Sequence, residues 1–285
     1  MQTIKEALTS ASLLFKKSKI DSPILDAEVL LAHLLRKDRV FLLAHSEKKL
    51  TSVQEKTFKA LAKKRANHTP IAYLVGRKEF YNLTFKTTPS ALIPRPETEE
   101  LVEMVLNYCR KNPEVSSIID VGTGSGAIAI SLASNIFSKV KVFASDQSQK
   151  ALTLARHNAK INKVNKKRLF KKANLLKGIS DKFDIIIANL PYLSQKEYDR
   201  GIKLCPELKK EPKSALLAKD HGLALIELLL KQSPTNIKSN GVIFLEIGYE
   251  QGKKVEKIAK QYLLDASVEI VKDLCGRDRF IVIYT

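Results

Sequence analysis

The chain has 285 residues, 44% of them hydrophobic, and its 49 Lys and Arg outweigh 30 Asp and Glu to give a net charge of +19. That is enough apolar material to bury a sizeable core, and the length favours a large domain beside a smaller one. No apolar run approaches the roughly 20 residues needed to span a bilayer, Met1 to Lys19 is broken by charges, and Cys109, Cys205 and Cys275 have neither zinc-site nor disulfide spacing, so the expectation is a cytoplasmic protein with no membrane segment, targeting signal or metal.

The charge attracts nucleic acid, ribosomes or acidic proteins and speaks to partners, not to fold. A generally Lys-rich surface gives the same total, as in Lys63-Lys64-Arg65 and Lys166-Lys167-Arg168.

From Ile4 to about Asn67 apolar residues recur at helical spacing: Ile4, Leu8, Ala11, Phe15, then Leu25, Val29, Leu30, Leu34, then Val53, Phe58, Leu61. Ser22-Pro23 and Thr51-Ser52 supply helix starts. The pattern predicts an all-helical domain over residues 1–75, suited to substrate recognition. Between Gly76 and Ile93 the chain turns to aromatic and β-branched residues, as in Phe80-Tyr81-Asn82-Leu83-Thr84-Phe85, and predicts a β-hairpin linker over 76–93. After Pro94-Arg95-Pro96, a helix is expected from Glu97 to Arg110, with acidic residues near its positive end.

Strands and helices then alternate. Strands are expected at Ile118 to Val121, Val140 to Ala144, Phe183 to Ala188 and Gly241 to Ile247, with helices after Gly126 and Ser148 and around Val255 to Tyr262. The pair Val268 to Val271 and Phe280 to Tyr284, joined through Gly276-Arg277-Asp278, predicts a final antiparallel pairing. Residues 94–285 thus read as an α/β domain with a mostly parallel sheet covered on both faces.

Asp120-Val121-Gly122-Thr123-Gly124-Ser125-Gly126 follows an apolar strand and precedes an apolar helix, where a tight turn lets a ligand approach the backbone. A dinucleotide fingerprint wants G-x-G-x-x-G; the G-x-G-x-G spacing here, behind an acid, resembles class I (Rossmann-like) S-adenosylmethionine methyltransferases. Gly122, Thr123, Gly124, Ser125 and Gly126 are the candidate cofactor loop. Asp146, ending the second strand, offers a carboxylate to two ribose hydroxyls, its plain alternative being a helix cap. Asn174, in Lys172-Ala173-Asn174-Leu175 at the end of a further strand expected between Ser148 and Phe183, is a candidate adenine contact or a turn former.

Asn189-Leu190-Pro191-Tyr192 follows the buried strand Asp184 to Ala188, which puts it at the carboxyl edge of the sheet where open α/β folds bind ligands. The Asn189 side-chain oxygen and the Leu190 main-chain carbonyl are each able to accept one hydrogen from an NH2 group, while Pro191 stiffens the turn and Tyr192 offers an aromatic wall. Beside a cofactor loop, with Asn189 touching both, this set suits methyl transfer to a planar amide or amino nitrogen. Such a nitrogen is a poor nucleophile that gains from positioning, a proline turn without chemistry being the alternative.

Together Ile93-Pro94-Arg95-Pro96-Glu97-Thr98-Glu99, Asp120 to Gly126, Asn189 to Tyr192, Glu211-Pro212 and Leu245-Glu246-Ile247-Gly248 resemble the HemK-type (PrmC) release-factor glutamine methyltransferases. The likeness includes Thr69-Pro70-Ile71-Ala72-Tyr73-Leu74 with Gly76 and the late Asp273-Leu274-Cys275-Gly276-Arg277-Asp278-Arg279. It implies methylation of the side-chain N5 of the glutamine in the Gly-Gly-Gln loop of peptide-chain release factors, with Gly122, Gly124, Gly126 and Asp146 holding S-adenosylmethionine and Asn189 to Tyr192 holding the glutamine amide. Many relatives carry Pro where this chain has Leu190, but only a backbone carbonyl is asked of that position. Glu246 reads as a partner behind the site or as an ordinary strand-end acid. An adenine-N6 methyltransferase on DNA or RNA would use a similar holder and account for +19, but the chain has no zinc finger or helix-turn-helix reading segment, so nucleic acid is the less favoured partner. A non-catalytic binding protein is disfavoured by the presence of both Asn189 and Tyr192.

Overall fold

The computed structural model describes residues 1–136, 139–164 and 168–285. It separates into two compact units, Met1–Arg77 with Cys205–Lys210, and Lys78–Leu204 with Glu211–Thr285. The short segment Cys205–Lys210 therefore falls with the first unit although it lies inside the 94–285 span.

The first unit is helical: α1 (Ile4–Lys17), α2 (Pro23–Leu35), α3 (Arg39–Ala44), α4 (Ser52–Ala66) and α5 (Ile71–Val75). Reciprocal capping boxes, Thr3 with Glu6 and Thr51 with Gln54, start α1 and α4, and Pro23 opens α2 where its missing N–H costs nothing. Ile4, Ala7, Ala11 and Phe15 of α1 pack with Leu30, Leu31, Leu42, Phe58 and Ala62. Leu25 and Val53, part of the helical-period stripe in the sequence, are instead exposed.

The charge run Lys63-Lys64-Arg65 is not all surface. Arg65 is buried, with Nε donating to Asp26 Oδ2 at 2.6 Å and Nη2 paired with Glu207 Oε1 at 2.6 Å. Its planar fork joins α2, α4 and the Cys205–Lys210 segment in one charge-assisted set. Lys166 and Lys167 of the second basic run lie outside the described residues.

The hairpin β1 (Arg77–Phe80) and β2 (Leu83–Lys86), closed by Tyr81 and Asn82 at positive φ, belongs to the second unit from Lys78 on. There follow α6 (Thr98–Lys111), β3 (Ser117–Val121), α7 (Ala127–Asn135), β4 (Lys141–Asp146), α8 (Gln149–Ile161), β5 (Arg168–Lys172), β6 (Phe183–Asn189), α9 (Gln195–Leu204), α10 (Ala224–Gln232), β7 (Ile237–Glu246), α11 (Gly252–Tyr262), β8 (Ser267–Lys272) and β9 (Asp278–Tyr284). Among the described residues these strands form a seven-stranded sheet in the order β5-β4-β3-β6-β7-β9-β8. All pairings are parallel except those of β9 with β7 and β8. Strand order reverses between β3 and β6, the switch point at whose carboxyl ends such folds open a crevice.

The core lies on both faces of this sheet. Ile118, Val142, Ile185, Val242 and Val282 pack one way with α6 and α7. Ile119, Ile186, Ile243 and Ile281 pack the other way with α10 and α11. Alternate residues of a strand serve opposite faces, which is why β3, β6 and β7 read as near-continuous apolar runs. Cys109 is buried and Cys205 and Cys275 are exposed. No described helix is long and apolar enough to cross a membrane.

At the far end of the sheet from the crevice, Asp184 ties β6 to its neighbours. It accepts from the N–H groups of Ser116 and Ser117 at 3.0 and 2.9 Å, from their hydroxyls at 2.9 and 2.8 Å, and from Lys238 Nζ at 2.8 Å. Burial pushes this carboxyl up, but the donors outweigh it and hold it at about 2. A depressed folded pKa contributes stability that is full above the unfolded value, roughly 4, and is lost as pH falls toward 2. Solvent screening limits the set to about 1 kcal/mol. Asp184→Asn is therefore expected to melt roughly 2–4 °C lower at pH 7 and to lose less further stability than the parent between pH 4 and 2, checked by melting scans across that range.

Candidate active site

A cavity opens at the carboxyl ends of β3, β4 and β6 and brings together Gly122, Gly124, Asp146, Asn174, Asn189, Leu190 and Pro191, with Ser90, Ala91, Leu92 and the Pro212–Ala215 segment opposite. Thr123, Ser125, Gly126 and Tyr192 lie outside this lining and act on its walls.

The glycine loop leaves β3 with Gly122, Gly124 and Gly126 all in the left-handed region. The N–H groups of Gly122 and Thr123 both donate to the Ser145 carbonyl at 2.9 Å, which anchors the loop to β4. A Cβ at Gly122 would stand 2.8 Å from Leu190 Cδ2, and one at Gly126 would stand 2.8 Å from Ile130 Cδ1 and 3.1 Å from Ala155 Cβ. Gly122 thus admits the Leu190 side chain, and Gly126 admits α8 against the start of α7. Beneath the loop, buried Asp120 accepts from the Thr123 hydroxyl at 2.6 Å and from the Ala129 N–H in the first turn of α7 at 3.1 Å. Desolvation raises its carboxyl to about 7 despite those two donors.

Asp146 ends β4. One oxygen accepts from the Ser148 N–H at 2.7 Å and the other from the Gly124 N–H at 2.9 Å. Ser148, not Asp146, caps α8 with its hydroxyl. A carboxylate has about four lone-pair sites, so Asp146 keeps acceptor capacity toward the cavity. Burial raises its pKa, with the two N–H groups pulling the other way. Asn174 lies just beyond β5 and lines the same cavity.

On the other wall, Asn189 is the last residue of β6 and pairs in register with Glu246, the last residue of β7. Asn189 Nδ2 donates to Glu246 Oε2 at 2.8 Å and to Thr98 Oγ1 at 3.0 Å, Thr98 donates to the same Glu246 oxygen at 2.7 Å, and the Tyr192 hydroxyl donates to Glu246 Oε1 at 3.2 Å. Glu246 is buried, which raises its pKa, while the Thr98 hydroxyl and the charge of Arg279 draw it down. Burial, and then the charge of Glu246, keep the Tyr192 phenol protonated. The ring of Tyr192 packs with the core beside β6, and its carbonyl accepts from Gln251 Nε2 at 2.9 Å.

Thr98, Gln251 and the turn Asp220-His221-Gly222 were not legible as parts of this site. A Cβ on Gly222 would meet the Tyr192 carbonyl oxygen at 2.0 Å. The only sequence signal was Thr98 within Ile93 to Glu99 and a glycine ahead of an apolar run. On the facing side Glu211 accepts from the Ile93 N–H at 3.0 Å and from Arg95 Nη2 at 2.5 Å, fastening the Pro212–Ala215 wall.

A doubly wound sheet whose switch point carries a glycine loop, a strand-end carboxylate and a polar turn with an amide acceptor defines a class I methyltransferase. In fold alone, it resembles a methyltransferase from Pyrococcus furiosus, with a TM-score of 0.51 at 18% identity over 73% of this chain and 90% of that one. The sequence profile of the PrmC N-terminal domain matches residues 6–76, and that of ribosomal protein L11 methyltransferase (PrmA) matches residues 97–192. The release factor glutamine methyltransferase of Lactococcus lactis subsp. lactis is 42% identical over 234 residues, 82% of this chain and 84% of that protein. That of Coxiella burnetii is 38% identical over 286 residues, 99% of each. The chain belongs to the release factor glutamine methyltransferase family.

Proposed function

We propose that this chain transfers a methyl group from S-adenosylmethionine to the side-chain N5 of the glutamine in the Gly-Gly-Gln loop of peptide-chain release factors. The observation that carries it is the Asn189 amide: its Nδ2 end is committed to Glu246 and Thr98, which leaves Oδ1 for the cavity shared with the glycine loop.

The cavity residues fit the cofactor. Gly122 and Gly124 present bare backbone, and Asp146 retains lone pairs for a pair of ribose hydroxyls. Asn174 has an acceptor oxygen for an adenine amino group. When bound, S-adenosylmethionine supplies an electrophilic methyl group on a sulfonium. Thr123, Ser125 and Gly126 hold the loop in shape from outside the cavity. Asp146→Ala is expected to weaken cofactor affinity by roughly 1–3 kcal/mol, as buried hydroxyls lose their acceptor; equal affinity by calorimetry would show that Asp146 only ties Gly124 to Ser148.

A carboxamide nitrogen has a delocalised lone pair and needs placement more than a base. Asn189 Oδ1 and the Leu190 carbonyl accept its two hydrogens and stabilise the positive charge that develops as the N–C bond forms, while fixed orientation supplies roughly 7 kcal/mol or more of effective molarity in favourable cases. Pro191 and Tyr192 hold that turn rigid. The methylated nitrogen is cationic and acidic, and its proton leaves to water.

We assign substrate recognition to the helical residues 1–75, linkage to 76–93 and catalysis to 94–285, with the match of the PrmC N-terminal profile in support. The place of work is the cytoplasm, where release factors act. The test is incubation with labelled S-adenosylmethionine and a release factor, its Gln→Ala loop variant, duplex DNA and RNA. Label on the unaltered factor alone is the expected result; label on nucleic acid alone would replace this reading with adenine-N6 transfer.

A further inference from the structure

The two ends of the Asn189 amide have nearly the same shape, and nothing within Asn189-Leu190-Pro191-Tyr192 decides which end faces the substrate. A glutamine NH2 presented to an outward Nδ2 would meet hydrogens with hydrogens. The decision is made from behind. The Glu246 carboxylate only accepts. Thr98 has a single hydroxyl hydrogen and gives it to Glu246 at 2.7 Å, so its oxygen accepts from Asn189 at 3.0 Å. Both groups at the inner end of the amide therefore oblige a donor there.

We propose, resting on the assignment of Asn189 as the amide holder, that Glu246 is a positioning residue that sets the polarity of the Asn189 amide, and with it the preference of the site for a carboxamide over a carboxylate. Glu246 does so through its 2.8 Å bond to Nδ2, and through its other oxygen it holds the Tyr192 hydroxyl. Donation from Nδ2 to an anion polarises the amide and makes Oδ1 a stronger acceptor for a nitrogen that is becoming cationic. A glutamate side chain in place of glutamine would set its oxygens against Oδ1 and the Leu190 carbonyl, with no hydrogens to share.

The experiment is Glu246→Gln in the full chain. Gln keeps the shape but has one acceptor oxygen for three donors, so one end of the network must turn over. The expected result is a turnover number lower by about tenfold or more, as for loss of a group that orients a ligand-contacting residue, with S-adenosylhomocysteine affinity by calorimetry unchanged. The Asn189→Ala, Glu246→Gln double variant should be no slower than Asn189→Ala alone, because residues that act as a unit are not additive.

A second readout needs no substrate. The side-chain 15N–1H2 signals of Asn189, assigned by their absence in Asn189→Ala, should shift and exchange faster with solvent in Glu246→Gln. Signals that shift while no release factor is labelled by the parent protein would retain the positioning role and remove the substrate assignment. Unshifted signals together with parental turnover would overturn the proposal. If the Gln variant does not fold, Glu246→Asp keeps the charge but draws its oxygens back by one methylene, and the same loss of turnover and faster exchange are expected of it; parental values of both would overturn the proposal.

Discussion

Asn189→Ala is expected to slow methyl transfer by about a hundredfold or more, the usual consequence of deleting one group aimed at transition-state charge. Binding of S-adenosylhomocysteine should change little, because the glycine loop and Asp146 remain in place. The substitution leaves β6 intact, since the side chain bonds to Thr98 and Glu246 and not to the sheet ladder. Alanine is the cleaner choice over aspartate, which would set a second carboxylate 2.8 Å from that of Glu246 in a buried place. Single-turnover rates with saturating cofactor are the measurement, and turnover within twofold of the parent would remove Asn189 from the chemistry.

The second large effect is expected at a glycine no motif announced. Gly222 has φ +87, and a Cβ there would lie 2.0 Å from the Tyr192 carbonyl oxygen and 2.7 Å from Gln251 Nε2. The preceding Asp220 and His221 also have positive φ, so the turn has little freedom to rotate away. Gln251 clips three segments at once: it donates to the carbonyls of Tyr192 and His221 and accepts from the Gly248 N–H at 2.8 Å. Gly222→Ala must either distort this clip or move Tyr192. A left-handed alanine costs roughly 1–2 kcal/mol and the steric displacement roughly 1–3 more. The expected outcome is a melting temperature lower by about 4–20 °C and a turnover number reduced further than the remaining folded fraction accounts for. Thermal melts with rates measured well below the melting range check both; parental values would show that the turn yields without disturbing Tyr192.

Much of the order of strands and helices from Ser117 onward was legible because β3, β6 and β7 are largely buried apolar runs and α7 and α8 start at Gly126 and the Ser148 cap. From Gln195 to Gln232 the pattern assigned nothing. There α9 is mostly polar, and α10 is an almost continuous apolar run that periodicity alone does not separate from a buried strand. The return of Cys205–Lys210 to the helical unit left no local trace either, since it depends on Arg65 reaching Asp26 and Glu207. For the same reason a charge run that looked like surface contains a buried arginine.

By itself the sequence determined the parts of the site whose physics is local. The glycines from Gly122 to Gly126 announce a tight turn that lets a ligand approach the backbone, and Asn189 to Tyr192 announces a turn at a strand end because an unbroken apolar strand leads into it. Only the tertiary structure decided which way the Asn189 amide faces, what clamps Tyr192 and how the cavity is walled. Those contacts join residues 91, 57 and 59 positions apart, Thr98 and Glu246 to Asn189 and Gln251 to Tyr192. Their meeting follows from the parallel register of β6 on β7 and the packing of α6 and α11 beside it, and such long-range choices are settled by the whole core rather than by neighbours in the chain.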